Sequence, residues 1–437
     1  MKKIILICML ISGCALVGLE EEEKITAGGG SGGGNTGGSS ESAPNLTPQS
    51  RLSAGGDTNA YILDNGSVVQ WGYESGANNA KTIVDNLTNA RQVSTFGTSG
   101  DSYGAHTCVI TTDNTSVCWG ENSKGQLGDN TTTDCGVGSS PAYQKSACAV
   151  PIFDDSTAQG NLNKVVAGSR ATFWLDNNGK LYSAGQCESG RLGISCGGGN
   201  QKTATTVMTG VEDVDMHRGI ACALKTDSTL HCWGENSGND ITNDNTSDIQ
   251  TPIQIATNVK HFDVAGNHVT MVHDNDTVFC TDNWYTKSSN IGKCADKFSS
   301  YTNVKRIYAT QDVTGLLLDN GSQVSYGVDS SGLLADKTGG SPATNLTVTH
   351  GWIQEDGSQS LTNNITHIDG GGLDHAIGIM DNGSVIGVGS NSEGQLGGTA
   401  SNLTCYWNGT PTTPCPVSAT ANDVWIYLNL SPTQVGP

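Results

Sequence analysis

One short pattern recurs seven times along this chain, and the recurrence limits the folds open to it more than any other feature. The copies are SVVQWGYESGANN at 67–79, SVCWGENSKGQLG at 116–128, KLYSAGQCESGRLG at 180–193, TLHCWGENSGND at 229–240, TVFCTDNWYTKSSNIG at 277–292, QVSYGVDSSGLLA at 323–335 and SVIGVGSNSEGQLG at 384–397. With the aromatic of Trp-Gly as marker, the equivalent residues are Trp71, Trp119, Ala184, Trp233, Thr281, Tyr326 and Val388. Their spacings are 48, 65, 49, 48, 45 and 62 residues. A unit of about fifty residues therefore repeats, with extra length between the second and third copies and between the sixth and seventh. A period of that size points to a solenoid or a propeller.

Each unit reads as strands. Before every marker stands a short apolar run and a turn of the Asp-Asn-Gly kind, as in AYILDNGS, TFWLDNNG and GLLLDNGS, which is the strongest short-range hairpin signal. A further extended stretch precedes each hairpin, for example Arg91 to Gly97, Lys164 to Gly168, His261 to Gly266 and His367 to Gly370. A fourth strand is expected where a Pro follows the blade tip, at Val150 to Phe153 and Pro252 to Ile255. Four short strands per unit, seven times over, predict an all-β, seven-bladed β-propeller of four-stranded blades. Stacking the blades in a ring buries faces that no single blade buries alone. The alternating tail Asp423 to Leu430 is expected to close the ring by pairing with the blade that contains Arg51 to Ala54.

The phrases at Cys118 to Gly128 and Gly389 to Gly397 resemble the repeat of the regulator-of-chromosome-condensation propellers, close to Trp-Gly-x-Asn-x-x-Gly-Gln-Leu-Gly. The resemblance spans roughly 51–420. It is strong in the second and seventh copies and poor in the fifth, where Thr281-Asp282 replaces Trp-Gly. The motif residues read as scaffold, because tight blade-tip turns need glycine. The family's founding member works on chromatin and a small GTPase, and neither role is expected to carry over to a chain with the following N-terminus.

Met1-Lys-Lys3 is a positive start, Ile4 to Ile11 an apolar stretch too short to span a bilayer, and Ile11-Ser-Gly-Cys14 a lipobox. This resembles the export signal of a bacterial lipoprotein, with cleavage before Cys14 and lipid on that Cys. Ala15 after it, rather than Asp, favours the outer membrane by resemblance to Gram-negative sorting. The expected organisation is a signal peptide at 1–13, a lipid anchor and tether at 14–50, and the propeller at 51–437. The tether holds the acidic run Glu20 to Glu23 and the Gly/Ser-rich Ala27 to Ser42. As a random coil of about 36 residues it spans about 30–36 Å.

Composition suits an exported binding domain. Charged residues make up 15%, glycine reaches 58 of 437, and the formal net charge is -20. Nucleic acid is not an expected partner, since the 22 basic residues look well dispersed along the sequence. Setting aside Cys8 in the signal and Cys14, twelve of the fourteen cysteines remain and fall in close sequential pairs. Cys108 and Cys118 lie five residues either side of Asp113, and Cys222 and Cys232 five either side of Asp227, which sets each pair across a hairpin at disulfide spacing. Cys135 with Cys148, Cys187 with Cys196, Cys280 with Cys294 and Cys405 with Cys415 would each staple a loop. No Cys-x-x-Cys occurs and no zinc spacing with the histidines, so no metal and no cofactor is expected. The oxygen-rich stretch Asn239 to Asp248 leaves calcium open, although it lacks the EF-hand spacing.

No nucleophile elbow, P-loop or dinucleotide fingerprint appears, so the expectation is a protein that is not an enzyme. Specificity on a ring of like blades is placed on its loops. The overlong segments are Asp129 to Asn163, Asp336 to Asn364 with Trp352, and Gly398 to Asn422 with Tyr406 and Trp407. These aromatics are the candidate binding residues for a protein or glycan ligand. The leading expectation is a monomeric, lipid-anchored binding propeller on the cell envelope, for example in adhesion. A periplasmic scaffold for envelope assembly and an inhibitor of a cell-wall enzyme are the alternatives.

Overall fold

The alternation on either side of each Asp-Asn-Gly type turn forms an antiparallel strand pair in all seven copies of the pattern. The computed structural model describes residues 51–72, 82–98, 101–136, 145–197, 199–242, 246–281, 298–311, 313–319, 323–328, 344–350, 365–371, 375–380, 385–389, 395, 405–407, 410–412 and 426–428. The chain divides into two units, Met1–Ser42 and Ala43–Pro437, and all described residues belong to the second. The signal and the whole tether, with Cys14, lie outside them.

Among the described residues the second unit is built from seven antiparallel sheets, the blades of a β-propeller. Their inner strands are Leu52–Gly55, Ala90–Thr98, Leu162–Gly168, Val211–His217, Val259–Val264, Val304–Ala309 and Ile365–Gly371. Every marker residue stands in the third strand of its blade, or directly after it in the case of Thr281. A fourth, outer strand is present in blades one (Thr82–Asp85), three (Gln201–Met208), four (Ile249–Ala256), six (Thr344–His350) and seven (Ile426–Leu428). Blades two and five have three strands among the described residues.

Two expectations are corrected here. Pro252 to Ile255 does lie in the outer strand of blade four, but Val150 to Phe153 forms no strand. That segment instead laces the rim. Lys145–Ser146 pairs in parallel with the outer strand of blade one, Ala149 bridges to Cys118 of blade two, and Phe153 bridges to Ala204 of blade three. A local strand pairs with its own blade alone, whereas the insertion is long enough to reach three. The tail is the second correction. Ile426–Leu428 pairs with Val385–Gly389 of blade seven, so it completes its own blade and does not close the ring on blade one. Blade one needs no such strand, because it already has four from contiguous sequence.

Closure comes from packing and inner-strand hydrogen bonds. Leu52, Tyr61, Val69 and Trp71 of blade one form one buried cluster with Ile377, Ile379 and Val385 of blade seven. Around the axis, one inner-strand side chain accepts a backbone N–H from the next blade. Asp369 takes that of Ala54, Ser53 that of Thr95, Ser94 that of Ala167, Asp215 that of Val264 and Asp263 that of Ala309. At the equivalent position blade three has Val166 and blade six has Tyr308. Both are buried, and they pack as apolar groups with their neighbouring blades. Each accepted N–H satisfies a backbone donor that the ring would otherwise bury.

Candidate functional site

The recurring phrase first explains itself as scaffold. The indole N–H of Trp71 donates to the Gln395 carbonyl of the preceding blade at 2.8 Å, and that of Trp233 to the Arg191 carbonyl at 3.1 Å. Second-strand side chains use the carbonyl at the same position of the phrase: Asn59 donates to that of Gln395 and Thr172 to that of Gln126. The glycine after the marker is fixed by sterics, since Gly72, Gly120, Gly185 and Gly234 all have φ above 100°. A Cβ on Gly72 would stand 2.0 Å from the Asp57 carbonyl oxygen. The Asn of the phrase organises its loop. Asn122 and Asn236 each accept the backbone N–H five residues on, from Leu127 and Ile241. Asp134 and Asp248 in turn accept the backbone N–H of these two Asn residues.

The described residues of the oxygen-rich stretch, 239–242 and 246–248, thus belong to a loop with the same hydrogen bonds as its counterpart in blade two. Asp248 is engaged by the Asn236 amide and Asp240 by that of Gly238. Among the described residues, no group of three or more His, Cys, Asp or Glu side chains is placed to hold a metal ion.

Two of the cavities among the described residues bear on function. The central channel, about 610 Å³, is lined by the inner strands of all seven blades. Lys164 and Asp213 pair there at 2.6 Å, and Asp215, Asp263 and Asp369 present the carboxylates that hold neighbouring blades. Burial, with Asp215 and Asp369 nearby, pushes the Asp263 carboxyl well above the usual range, and burial raises that of Asp369 to about 6. His217 has no hydrogen-bond partner on either ring nitrogen, and burial pushes it down to about 3, keeping it neutral. It packs edge-on against Phe96. The channel is a mixed-charge interior in which Asp215, Asp263 and Asp369 hold the ring and Asp213 pairs with Lys164.

The second cavity, about 470 Å³, lies where the turns between first and second strands meet the loops that follow the third strands of blades three and four, and Gly266 and Asn267 of blade five and Gln311 of blade six complete its lining. Arg170, Arg191 and Arg218 line it with Glu235 and Asp240. The chain has six arginines in all, the others being Arg51, Arg91 and Arg306, so half of them meet here. Arg191 is buried and donates to the Ser169 carbonyl at 2.9 Å, Arg170 donates to Gln186 at 3.3 Å, and Arg218 is exposed. Arg170 and Arg218 hold left-handed backbone at φ 58° and 50°. A side chain other than Gly or Asn is uncommon there and costs about 1–2 kcal/mol. The basic residues therefore are not dispersed in space as they are along the sequence. The signal was in the phrase itself, because Arg191 occupies the Gln position of Gly-Gln-Leu-Gly.

The forecast cysteine pairs fall in three groups. Cys108 with Cys118, and Cys222 with Cys232, face each other in register across their hairpins, each with Cα atoms 4.1 Å apart, and stand at disulfide distance. Cys135 with Cys148 and Cys187 with Cys196 also stand together, with Cα separations of 6.0 and 6.1 Å. Cys280 ends the third strand of blade five, while Cys294 and Cys415 lie outside the described residues. Cys405, Tyr406 and Trp407 form a short strand paired with Thr410–Thr412; their side chains, and Trp352 altogether, lie outside the described residues.

A family model of the regulator of chromosome condensation (RCC1) repeat matches residues 99–126 and 365–395. A stretch of 124 residues is 32% identical to the E3 ubiquitin-protein ligase HERC2 of Mus musculus, covering 27% of this chain and 2% of that protein. Over 207 residues the chain is 25% identical to the X-linked retinitis pigmentosa GTPase regulator of Canis lupus familiaris, covering 46% of this chain and 18% of the relative. The chain thus spans a small part of the length of these curated relatives. Among solved structures, human WBSCR16 superposes with a TM-score of 0.57 at 17% identity, over 77% of this chain and 89% of that one. Prp20p of Saccharomyces cerevisiae, described with its binding to Gsp1p and histones, gives 0.53 at 18% identity, over 72% and 74%.

Proposed function

Because the chain is an RCC1-like repeat propeller, we propose that it is a non-enzymatic binding protein of the bacterial cell envelope, anchored through lipid on Cys14 and engaging a protein partner. The observation that carries the binding part is the division of labour within the repeat. Trp71, Trp233, Asn122 and Asn236 spend their polar groups on neighbouring blades and on their own loops, so recognition falls to residues that depart from the pattern. Relatives of the repeat support a regulatory or binding role, since one is a GTPase regulator and the structure of another is described with its protein ligands. The envelope part is supported by the sequence Ile11-Ser-Gly-Cys14 and by cysteines at disulfide distance, as an oxidising compartment favours. Display at the outer surface of an outer membrane, with Trp352, Tyr406 and Trp407 on the long loops among the contacts, is the form of this reading that adhesion would use.

Radiolabelled palmitate and protease test it together. The parent chain is expected to take label and Cys14→Ser to take none; label on the variant would refute the anchor. Protease added to intact cells is expected to degrade the propeller. Protection in intact cells with loss on lysis would move it to the periplasm and favour a scaffold or an enzyme inhibitor.

A further inference from the structure

The arginine cavity differs from its counterpart at the closing junction by three substitutions, and these make it a site. At the junction of blades seven and one, Gln395 donates its side-chain amide to Asp57 at 2.9 Å, both groups being buried. At the junction of blades three and four the same two positions are Arg191 and Gly219. A Cβ on Gly219 would lie 3.7 Å from the Arg191 guanidinium and 2.8 Å from a Glu235 carboxylate oxygen. The polar pair that fills the closing junction is thus replaced by a guanidinium and, over the Gly219 backbone, the Glu235 carboxylate. Arg218 adds an exposed second guanidinium from the adjacent turn, where blade one has Gly56, and Arg170 adds a third.

We propose that this cavity binds a carboxylate side chain presented by an acidic segment of a partner protein. Guanidinium groups take carboxylates through paired, charge-assisted N–H donors. Glu235 and Asp240, which line the cavity with the arginines, offer acceptors for the N–H groups of the same segment. Among the described residues the lining holds no aromatic ring, which is the platform a sugar would use. The surrounding chain has a net charge of -20, so an acidic ligand gains attraction at this cavity and repulsion elsewhere. That contrast favours one register.

The proposal rests on the reading of the chain as a binding propeller, and its test is separate from that of the anchor. The probe is acetylated, amidated hexaglutamate, titrated calorimetrically into the full chain, with hexaglutamine as control. Saturable binding at least about tenfold tighter than that of hexaglutamine is expected, with a loss of at least about tenfold in Arg218→Gln. Arg218 is exposed and no hydrogen bond or ion pair engages it among the described residues, so its replacement leaves the fold intact. Arg51→Gln, which breaks a surface pair with Asp64 outside the cavity, is expected to bind as the parent does. Equal binding of the two peptides, full binding by Arg218→Gln, or an equal loss in Arg51→Gln would each overturn the assignment. If hexaglutamate fails while a protein is still captured through the long loops, this site falls and the binding-propeller reading stands.

Discussion

The junction of blades seven and one and the junction of blades three and four are built from the same repeat positions and end in opposite states. In both, a marker Trp donates to the carbonyl of the residue before the Leu-Gly of the phrase, Trp71 to Gln395 and Trp233 to Arg191. The side chains then part company. Gln395 is spent on Asp57, whereas Arg191, which also donates to the Ser169 and Glu188 carbonyls, lines a cavity beside Gly219. Main-chain work and side-chain work are separable at this position. A repeat fold is thereby able to convert one of its joints into a site without losing the joint.

Removing the shared part should cost most. Trp71→Ala and Trp233→Ala each delete a fully buried indole, and about 3–5 kcal/mol is expected for each by urea unfolding. A large loss at one and almost none at the other would break the claim that the two joints hold the ring alike. Next comes the part that differs. Gln395→Ala leaves the buried Asp57 carboxylate without that donor, and about 1–3 kcal/mol is expected. A variant as stable as the parent would show that the closing pair does no stabilising work.

The smallest effect is on pH. His375, beside the closing joint, is pushed down by burial to about 4, and His217, beside the open one, to about 3. A histidine whose folded pKa lies below its unfolded value near 6.5 contributes stability that is complete above 6.5 and lost as pH falls toward the folded value. Asp369 acts in reverse. Its carboxyl, raised to about 6, favours the fold below the unfolded value near 4 and loses that share as pH rises through 6. His268, also lowered to about 4 by burial, and His367, pushed well below its ordinary value, add to the first direction, while Asp263, raised well above the usual range, adds to the second. The melting temperature is therefore expected to fall between pH 6.5 and 4. His217→Gln and His375→Gln should each flatten the slope, and unchanged slopes would refute the assignment.

Much of the ring was legible because its signals are local. The Asp-Asn-Gly turns set each hairpin, the apolar alternation set the strands, and the offset of Cys108 and Cys118 about Asp113 gave their register correctly. The tail was misassigned because alternation reveals a strand but not its neighbour; Ile426–Leu428 found an open edge in its own blade. Val150 to Phe153 was misassigned for a related reason. A Pro after a blade tip suits an outer strand, yet the Cys135 to Cys148 insertion gives the segment enough reach to bridge three blades. The arginine cavity was hidden because Arg170, Arg191 and Arg218 are far apart in sequence and meet only through the packing of two blades. Its trace lay in one residue, the Arg that stands where blades two and seven carry Gln126 and Gln395.

Arg191→Gln restores that residue and measures the separation directly, through urea unfolding and hexaglutamate titration of the same sample. Stability within about 1 kcal/mol of the parent, with hexaglutamate binding weakened by at least about tenfold, is the expected pair of results. A destabilised variant that still binds hexaglutamate as the parent does would show that Arg191 serves the joint and that the cavity is not a site.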